Sequence, residues 1–326
     1  MNLLICSSPF QVLVAKKIIE HYPEKSFYGM MLLVSDNAKY RHYANELINS
    51  CQDGQCYVLK KSKHLGLILL DLLALKIKGL ALKNIEDIYL ASFDSILVQT
   101  LISGIDFRNL YTFDDGTANL VKDSYYYHQD RHTALTAQLL KKLLNNPYDL
   151  LTLKEKSKKH FTVFHAKNVM ENAHYLPLLP TNHQPNNHDK KANKNQKIMM
   201  VGQPIYEMNP ALTKAQIKQK NRKLSQKVVQ TFAVEYYLPH PRENYHLDGV
   251  DYIHSKLVAE DYFYQNIASD TDYVIYTFCS GAVLPFVGMD NVKIIGVLPA
   301  DCPKNLLAAY ELLKAFDIAI ITVDGS

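Results

Sequence analysis

The sequence predicts an α/β protein of two successive domains, each a parallel sheet with helices on both faces. Three observations carry that expectation. Short apolar runs alternate with segments of helical spacing along most of the chain. The alternation breaks over Pro180 to Lys197, a stretch rich in Asn, His, Lys and Pro, and then restarts. A length of 326 residues favours two domains of ordinary size over one. The expected division is residues 1–180, a linker over 181–197, and residues 198–326.

Leu3–Cys6 is the first strand and stops at Ser7-Ser8-Pro9. Apolar residues from Phe10 to Ile19 then recur at helical spacing. Ser8 is the natural N-cap and Pro9 the first helical residue. Phe27–Val34 is the second strand and Tyr40–Ile48 the next helix. Cys56–Leu59 is the third strand, followed by a helix over Leu65–Lys78 that reads as buried. Asp87–Ala91 and Leu110–Phe113 are strands four and five, with Ser95–Ile102 helical between them. Thr133–Lys142 is helical in pattern. The charge run Lys154–Lys159 reads as a solvated turn or helix, and Phe161–Phe164 and Tyr175–Leu179 as extended. In the second half Lys197–Val201, Glu235–Leu238, Val250–Ile253, Tyr273–Phe278, Lys293–Gly296 and Ile318–Thr322 read as strands. Helices are expected over Ala211–Thr231, Ala259–Ala268 and Lys304–Phe316.

Composition narrows the function classes. Apolar residues make up 48% of the chain, enough for two cores, so a disordered chain is excluded. A net charge of +4, with both signs spread throughout, gives no reason to expect a nucleic-acid partner. Cys6, Cys51, Cys56, Cys279 and Cys302 form no CxxC pair and no zinc spacing. They read as reduced thiols of a cytoplasmic protein, with Cys6 and Cys279 partly exposed at strand ends. Met1 is followed by neither a basic segment nor a long apolar one, so no signal peptide is expected. The apolar run Leu65 to Leu75 contains Asp71 and is too short to span a bilayer. Lys60, Lys61, Lys63, Lys76, Lys78 and Lys83 around it suit a solvated rim better than an anionic membrane surface. His183 and His188 sit in the polar linker without further ligands, so no metal role is assigned to them.

Chemistry concentrates at strand ends, where open parallel sheets bind ligands. In the second half one strand runs into Pro239-His240-Pro241-Arg242. The two prolines stiffen a loop that presents an imidazole and a guanidinium, a combination suited to holding and protonating a phosphate. Gly202-Gln203-Pro204 ends another strand and would let a ligand approach the backbone. Tyr276-Thr277-Phe278-Cys279-Ser280-Gly281 ends a third and places a hydroxyl and N–H groups at an expected helix N-terminus. Together these describe a nucleotide-phosphate pocket. In the first half, Asp114-Asp115-Gly116 ends the fifth strand. It reads equally as an Asx-type turn, with Gly116 at positive φ, or as a carboxylate facing a ligand. No third oxygen ligand for a metal accompanies the pair, and no Walker, GxGxxG or HExxH motif is present.

The chain resembles glycosyltransferase family 52, the bacterial lipooligosaccharide sialyltransferases. The resemblance runs through Leu3-Leu4-Ile5-Cys6 with Gln11 and Val14-Ala15, Ile88-Tyr89-Leu90-Ala91-Ser92 and Thr112-Phe113-Asp114-Asp115-Gly116-Thr117. It continues through Tyr175-Leu176-Pro177-Leu178, His240-Pro241-Arg242 and Ile275-Tyr276-Thr277-Phe278 with Ser280-Gly281-Ala282. It implies two Rossmann-like domains in a GT-B-like architecture with substrates in the cleft between them. It also implies metal-independent, inverting transfer of sialic acid from CMP-sialic acid to a galactose-terminated lipooligosaccharide or capsular glycan, without a cofactor. The N-terminal domain would take the acceptor, with Ser8 and Gln11 near it, and the C-terminal domain the nucleotide-sugar donor. His240 would contact the donor phosphate and assist departure of CMP, and Ser280-Gly281 would form the phosphate-binding turn. A homodimer is implied, and peripheral contact with the inner membrane is compatible with the lysine-flanked helix. One departure matters: a member of the family has an aspartate as general base directly after its Gly-x-Pro, where this chain has Ile205. Glu207 is the nearest carboxylate, and Asp114 and Asp115 are the other options. A different nucleotide-sugar donor, or a non-catalytic CMP- or glycan-binding protein, are the competing readings.

Overall fold

The computed structural model describes residues 1–33, 35–60, 65–122, 124, 126–127, 135–178, 195–207 and 209–324. The chain forms two compact units, Met1–Leu178 and Leu179–Ser326. Most of the expected linker, with His183 and His188, lies outside the described residues. Its last three residues already belong to a strand, because β8 opens at Asn195.

The first unit holds a seven-stranded sheet of Asn2–Cys6 (β1), Phe27–Leu33 (β2), Asp53–Val58 (β3), Asp87–Leu90 (β4), Asn109–Phe113 (β5), Ser157–Thr162 (β6) and Ala173–Tyr175 (β7). The order is β3-β2-β1-β4-β5-β6-β7, and every pair is parallel. Its described helices are Pro9–His21 (α1), Ala38–Ser50 (α2), Leu65–Ala81 (α3), Ile96–Ile102 (α4), Leu135–Leu143 (α5) and Leu150–Lys156 (α6). α1 packs beside α2 and α3 beside α4. β1 is buried along its whole length, which is why it reads as an uninterrupted apolar run rather than an alternating one. Ser8 caps α1 by accepting from the Gln11 N–H, with Pro9 at the first turn, as expected.

Two expectations change here. The charge run Lys154–Lys159 is neither one turn nor one helix, since α6 ends at Lys156 and β6 begins at Ser157. Nor is α3 a buried helix. Asp71, Leu72, Leu75 and Gly79 face inward, while Leu70, Leu73, Ile77 and Leu80 are exposed along the opposite side. Asp71 explains its own place in an apolar run. Its carboxylate accepts from the Tyr57 hydroxyl (2.9 Å) and the Lys60 N–H (3.0 Å), pinning the helix to the end of β3. α5 behaves like the outer side of α3: none of its residues is buried, and Leu135, Leu139 and Leu143 are exposed.

The second unit holds Asn195–Val201 (β8), Tyr236–Leu238 (β9), Asp251–Tyr252 (β10), Thr271–Thr277 (β11), Val292–Pro299 (β12) and Ala319–Val323 (β13), in the order β10-β9-β8-β11-β12-β13. All pairs are again parallel. Its α-helices are Lys214–Thr231 (α7), Ala259–Asn266 (α8) and Leu307–Ala315 (α9). α7 starts later than Ala211 because Thr213 and Gln216 form a capping box. Each unit is a Rossmann-like doubly wound sheet. The strand order reverses between β1 and β4 in the first and between β8 and β11 in the second, which marks the two positions where such sheets take ligands.

α3 and α4 cross at closest approach through two glycines. A Cβ on Gly79 would overlap the Leu101 carbonyl oxygen, and one on Gly104 would lie 2.7 Å from the Lys76 carbonyl oxygen. Both obstacles are backbone, which cannot swing aside. Gly79→Ala is expected to destabilise the protein by about 1–3 kcal/mol through overpacking, read as a lower urea midpoint. An unchanged midpoint would mean that the helices separate freely.

Candidate active site

In the second unit the loops leaving β8, β9 and β11 are tied together by side chains. After β9, the Glu243 N–H donates to the His240 carbonyl (2.9 Å), closing a turn with Pro241 at its second position. Inside that turn the Arg242 N–H donates to His240 Nδ1 (3.2 Å). A backbone amide can only donate, so Nδ1 is the acceptor and the proton of the neutral ring sits on Nε2. Arg242 Nη1 pairs with Glu207 (3.1 Å), joining this turn to the loop after β8. The Cys279 N–H donates to Gln203 Oε1 (3.1 Å), joining that loop to the one after β11 across the strand-order reversal. Pro204 and Ile205 are buried beside Gln203, and Ile205 belongs to the core of the unit.

Other expected donor residues face elsewhere. Tyr276 stacks on Phe232, with ring centroids 4.6 Å apart. Thr277 is fully buried and accepts from the Ser280 N–H (3.2 Å), and Phe278 lies in the core. Gly281 opens a six-residue 3₁₀ helix, Gly281–Phe286, rather than an α-helix, and Ser280 Oγ is used to cap it by accepting from Ala282. The turn therefore offers little helix dipole to an anion. Gly202 does not open a path to the backbone either. The space its missing side chain leaves is filled by the Glu243 carboxyl and the Tyr237 hydroxyl.

Glu243 was not legible as a site residue. Tyr237 donates to its Oε2 (2.8 Å), and its Oε1 is buried without a hydrogen-bond partner. Burial pushes the carboxyl up to about 7, against smaller opposing effects of hydrogen bonding by Tyr237, the His240 backbone and Tyr245. Cys279 is buried rather than partly exposed, and burial raises its thiol to about 12. Cys6 is likewise buried and held well above the usual thiol range.

In the first unit the reversal between β1 and β4 carries a second polar cluster. Gln11 is buried on α1. Its Nε2 lies 2.6 Å from Asp115 Oδ1 and 2.8 Å from Ser92 Oγ, while its Oε1 accepts from the Ser7 N–H (2.6 Å). Ser92 Oγ also donates to Asp115 Oδ2 (3.1 Å). The Tyr126 hydroxyl lies 3.1 Å from that oxygen and 3.0 Å from Asp94 Oδ1. Asp115 is partly exposed and held by donors on both oxygens, and Gly116 beside it does take a positive φ of 63°. Ser8 stays with its capping role. Ser92 follows β4 directly after Ala91, so the strand-end argument applied to the other loops would have found it. Tyr126 comes from a loop and leaves no such signal.

Asp114 differs wholly from its neighbour. It is fully buried and accepts from the Val163 N–H (2.8 Å), with His160 Nε2 at 3.1 Å. His160 Nδ1 meets Thr112 Oγ1 (2.9 Å), which in turn meets Ser157 Oγ (2.8 Å). This network stitches β5 to β6, so Asp114 supports the sheet and does not face a ligand. Among the described residues, no group of three or more His, Cys, Asp or Glu could hold a metal ion. Asp114→Ala would strand His160 in the interior and is expected to lower stability by about 3–5 kcal/mol in denaturant unfolding. A loss below about 0.5 kcal/mol, the range of ordinary surface substitutions, would contradict the assignment.

The chain is 32% identical over 325 residues to a Pasteurella multocida protein named CMP-N-acetylneuraminate:beta-galactoside alpha-2,3-sialyltransferase, covering 99% of both. It is 31% identical over 295 residues to an N-acetyllactosaminide alpha-2,3-sialyltransferase of Haemophilus influenzae, covering 90% of this chain and 91% of that one. Among solved structures it superimposes on a Phytolacca americana glycosyltransferase complexed with UDP-2fluoro-glucose and pterostilbene. The TM-score is 0.52 at 11% identity, covering 98% of this chain and 85% of the other, a likeness of fold alone. The sequence profile of glycosyltransferase family 52 matches residues 24–301, most of the chain. With two Rossmann-like sheets, a family profile that matches most of the chain and sialyltransferase relatives along nearly its whole length, the chain belongs to glycosyltransferase family 52.

Proposed function

We propose that this enzyme transfers sialic acid from CMP-sialic acid to a galactose-terminated glycan, lipooligosaccharide or capsular, with inversion and without a metal ion or cofactor. The observation that carries the reading is His240. Its Nδ1 is occupied by the Arg242 N–H, so its Nε2 carries a proton at the end of β9, beside the strand-order reversal. A CMP leaving group develops charge on one phosphate, and a positioned N–H is the group that stabilises and then protonates it. Arg242 adds a permanent cation within reach of the same loop, and its pairing with Glu207 holds it there. Residues 198–326 are thus the donor side and residues 1–180 the acceptor side.

For the proton of the acceptor hydroxyl we favour Asp115. Glu207 is engaged by Arg242, and Asp114 is buried. Asp115 is partly exposed, with Gln11, Ser92 and Tyr126 fixing its orientation. Sialyl transfer passes through an oxocarbenium-like state, so the acceptor hydroxyl needs only modest activation.

The same reading includes a cytoplasmic homodimer in peripheral contact with the inner membrane. Leu70, Leu73, Ile77 and Leu80 are exposed at alternating three- and four-residue spacing, which suits packing against a second helix. Ile77→Glu is expected to shift the protein to a monomer in size-exclusion chromatography with light scattering. Unchanged mass would leave the dimer unsupported by this face.

With CMP-sialic acid and a galactoside, His240→Ala should cut turnover by roughly two to four orders of magnitude, the usual range for general acid–base groups. Asp115→Asn should fall comparably and Glu207→Gln much less, and a chelator should leave the parent rate unchanged. Near-parental CMP release by His240→Ala would reject the role of the histidine. Turnover of a UDP-hexose but not of CMP-sialic acid would favour the other-donor reading. CMP binding without any transfer would favour the non-catalytic one.

A further inference from the structure

We propose that Glu243 is a positioning residue of the donor-phosphate loop, and that only its protonated form leaves that loop ready for a bound phosphate. The inference rests on the reading of the His240 loop as the donor-phosphate site.

Glu243 closes the turn that presents His240 and is itself held from two strands. Its N–H donates to the His240 carbonyl, its Oε2 accepts from Tyr237 on β9, and its Oε1 is pressed against Gly202 at the end of β8. The buried Oε1 has no hydrogen-bond partner, so an ionised carboxylate would leave a charged oxygen unsolvated. Hydrogen bonding by Tyr237, the His240 backbone and Tyr245 pulls the carboxyl down, but by less than burial pushes it up. Tyr237 on β9, Tyr245 in the same loop and Tyr252 on β10 face it, and burial raises the pKa of all three phenols, so they stay neutral. α7 contributes the Ser225 hydroxyl, which meets Tyr245 (3.3 Å), and Arg222, which acts on Tyr252, and β8 contributes Gly202. Arg242, next in sequence, directs its guanidinium to Glu207, leaving His240 as the other titratable group of the turn.

Burial already places this carboxyl near neutrality, at about 7. A phosphate bound at the turn adds a second negative charge and favours the protonated form further. By linkage, phosphate binding then takes up a proton, and affinity falls as pH rises through that range. Below it the carboxyl is neutral with or without ligand, and the coupling vanishes. Glu243→Gln mimics the neutral form at every pH and keeps an acceptor for Tyr237. It should therefore match the parent at low pH and bind more tightly at high pH, a gain that a merely structural role would not produce.

The test is CMP affinity by calorimetry from pH 6 to 8.5, for the parent, Glu243→Gln and Tyr237→Phe. The titrations of the CMP phosphate and of His240 are common to all three, so differences report Glu243. The parent and Glu243→Gln should agree at pH 6, and the variant should bind roughly three- to tenfold more tightly at pH 8.5, since one coupled proton changes affinity by at most tenfold per pH unit. Tyr237→Phe removes a donor that steadies the ionised carboxylate, so its inflection should move to higher pH. If Glu243→Gln folds poorly, that upward movement carries the test alone. Parallel pH profiles for all three proteins would overturn the inference while leaving the donor site standing. Absence of CMP binding by the parent at any pH would overturn the donor-site reading and this inference with it.

Discussion

Each half of the chain is governed by one constraint: an all-parallel sheet must be covered on both faces, so its strands can meet ligands only at their ends. β1 and β8 start the two sheets, and in both the order reverses at that first strand. The crossovers to either side diverge there, and side chains from the strand-end loops meet across the reversal. The groups assigned a chemical role lie at or beside those two positions. Ser7, Gln11 and Ser92 gather at the first reversal, and Gln203, His240 and Cys279 at or beside the second.

The carboxylates show how environment divides roles among similar residues. Asp114 and Asp115 are adjacent, yet one is sealed against His160 and the other is partly exposed, because successive residues at a strand end point to opposite sides. Thr112 and Asp114, two apart, both reach His160 for the same reason. Glu207 is paired with a guanidinium, while Glu243 is buried among phenols without one. Ile205, where the family resemblance leads one to expect an aspartate, packs into the core of the second unit.

Much of this was legible in the residues. The strands and helices announce themselves through apolar runs, Ser8-Pro9 and the alternation of elements, and the His-Pro-Arg turn is rigid by composition. Strand order leaves no trace in sequence, so the pairing of the loops after β8 and β11 could not be read. α3 is apolar all round, so its periodicity does not reveal which side faces out. Only the coordinates show that the Ser280 hydroxyl caps its own short helix and that another side chain fills the space beside Gly202. Glu243 reads as one more charged loop residue until its burial against β8 and β9 is seen.

The central claim is that the turn after β9 holds the donor phosphate. A crystal structure with CMP bound tests it most directly. The phosphate should lie within hydrogen-bond distance of His240 Nε2, with Arg242 near it. A phosphate bound away from that turn, with His240 Nε2 facing solvent, would contradict the account.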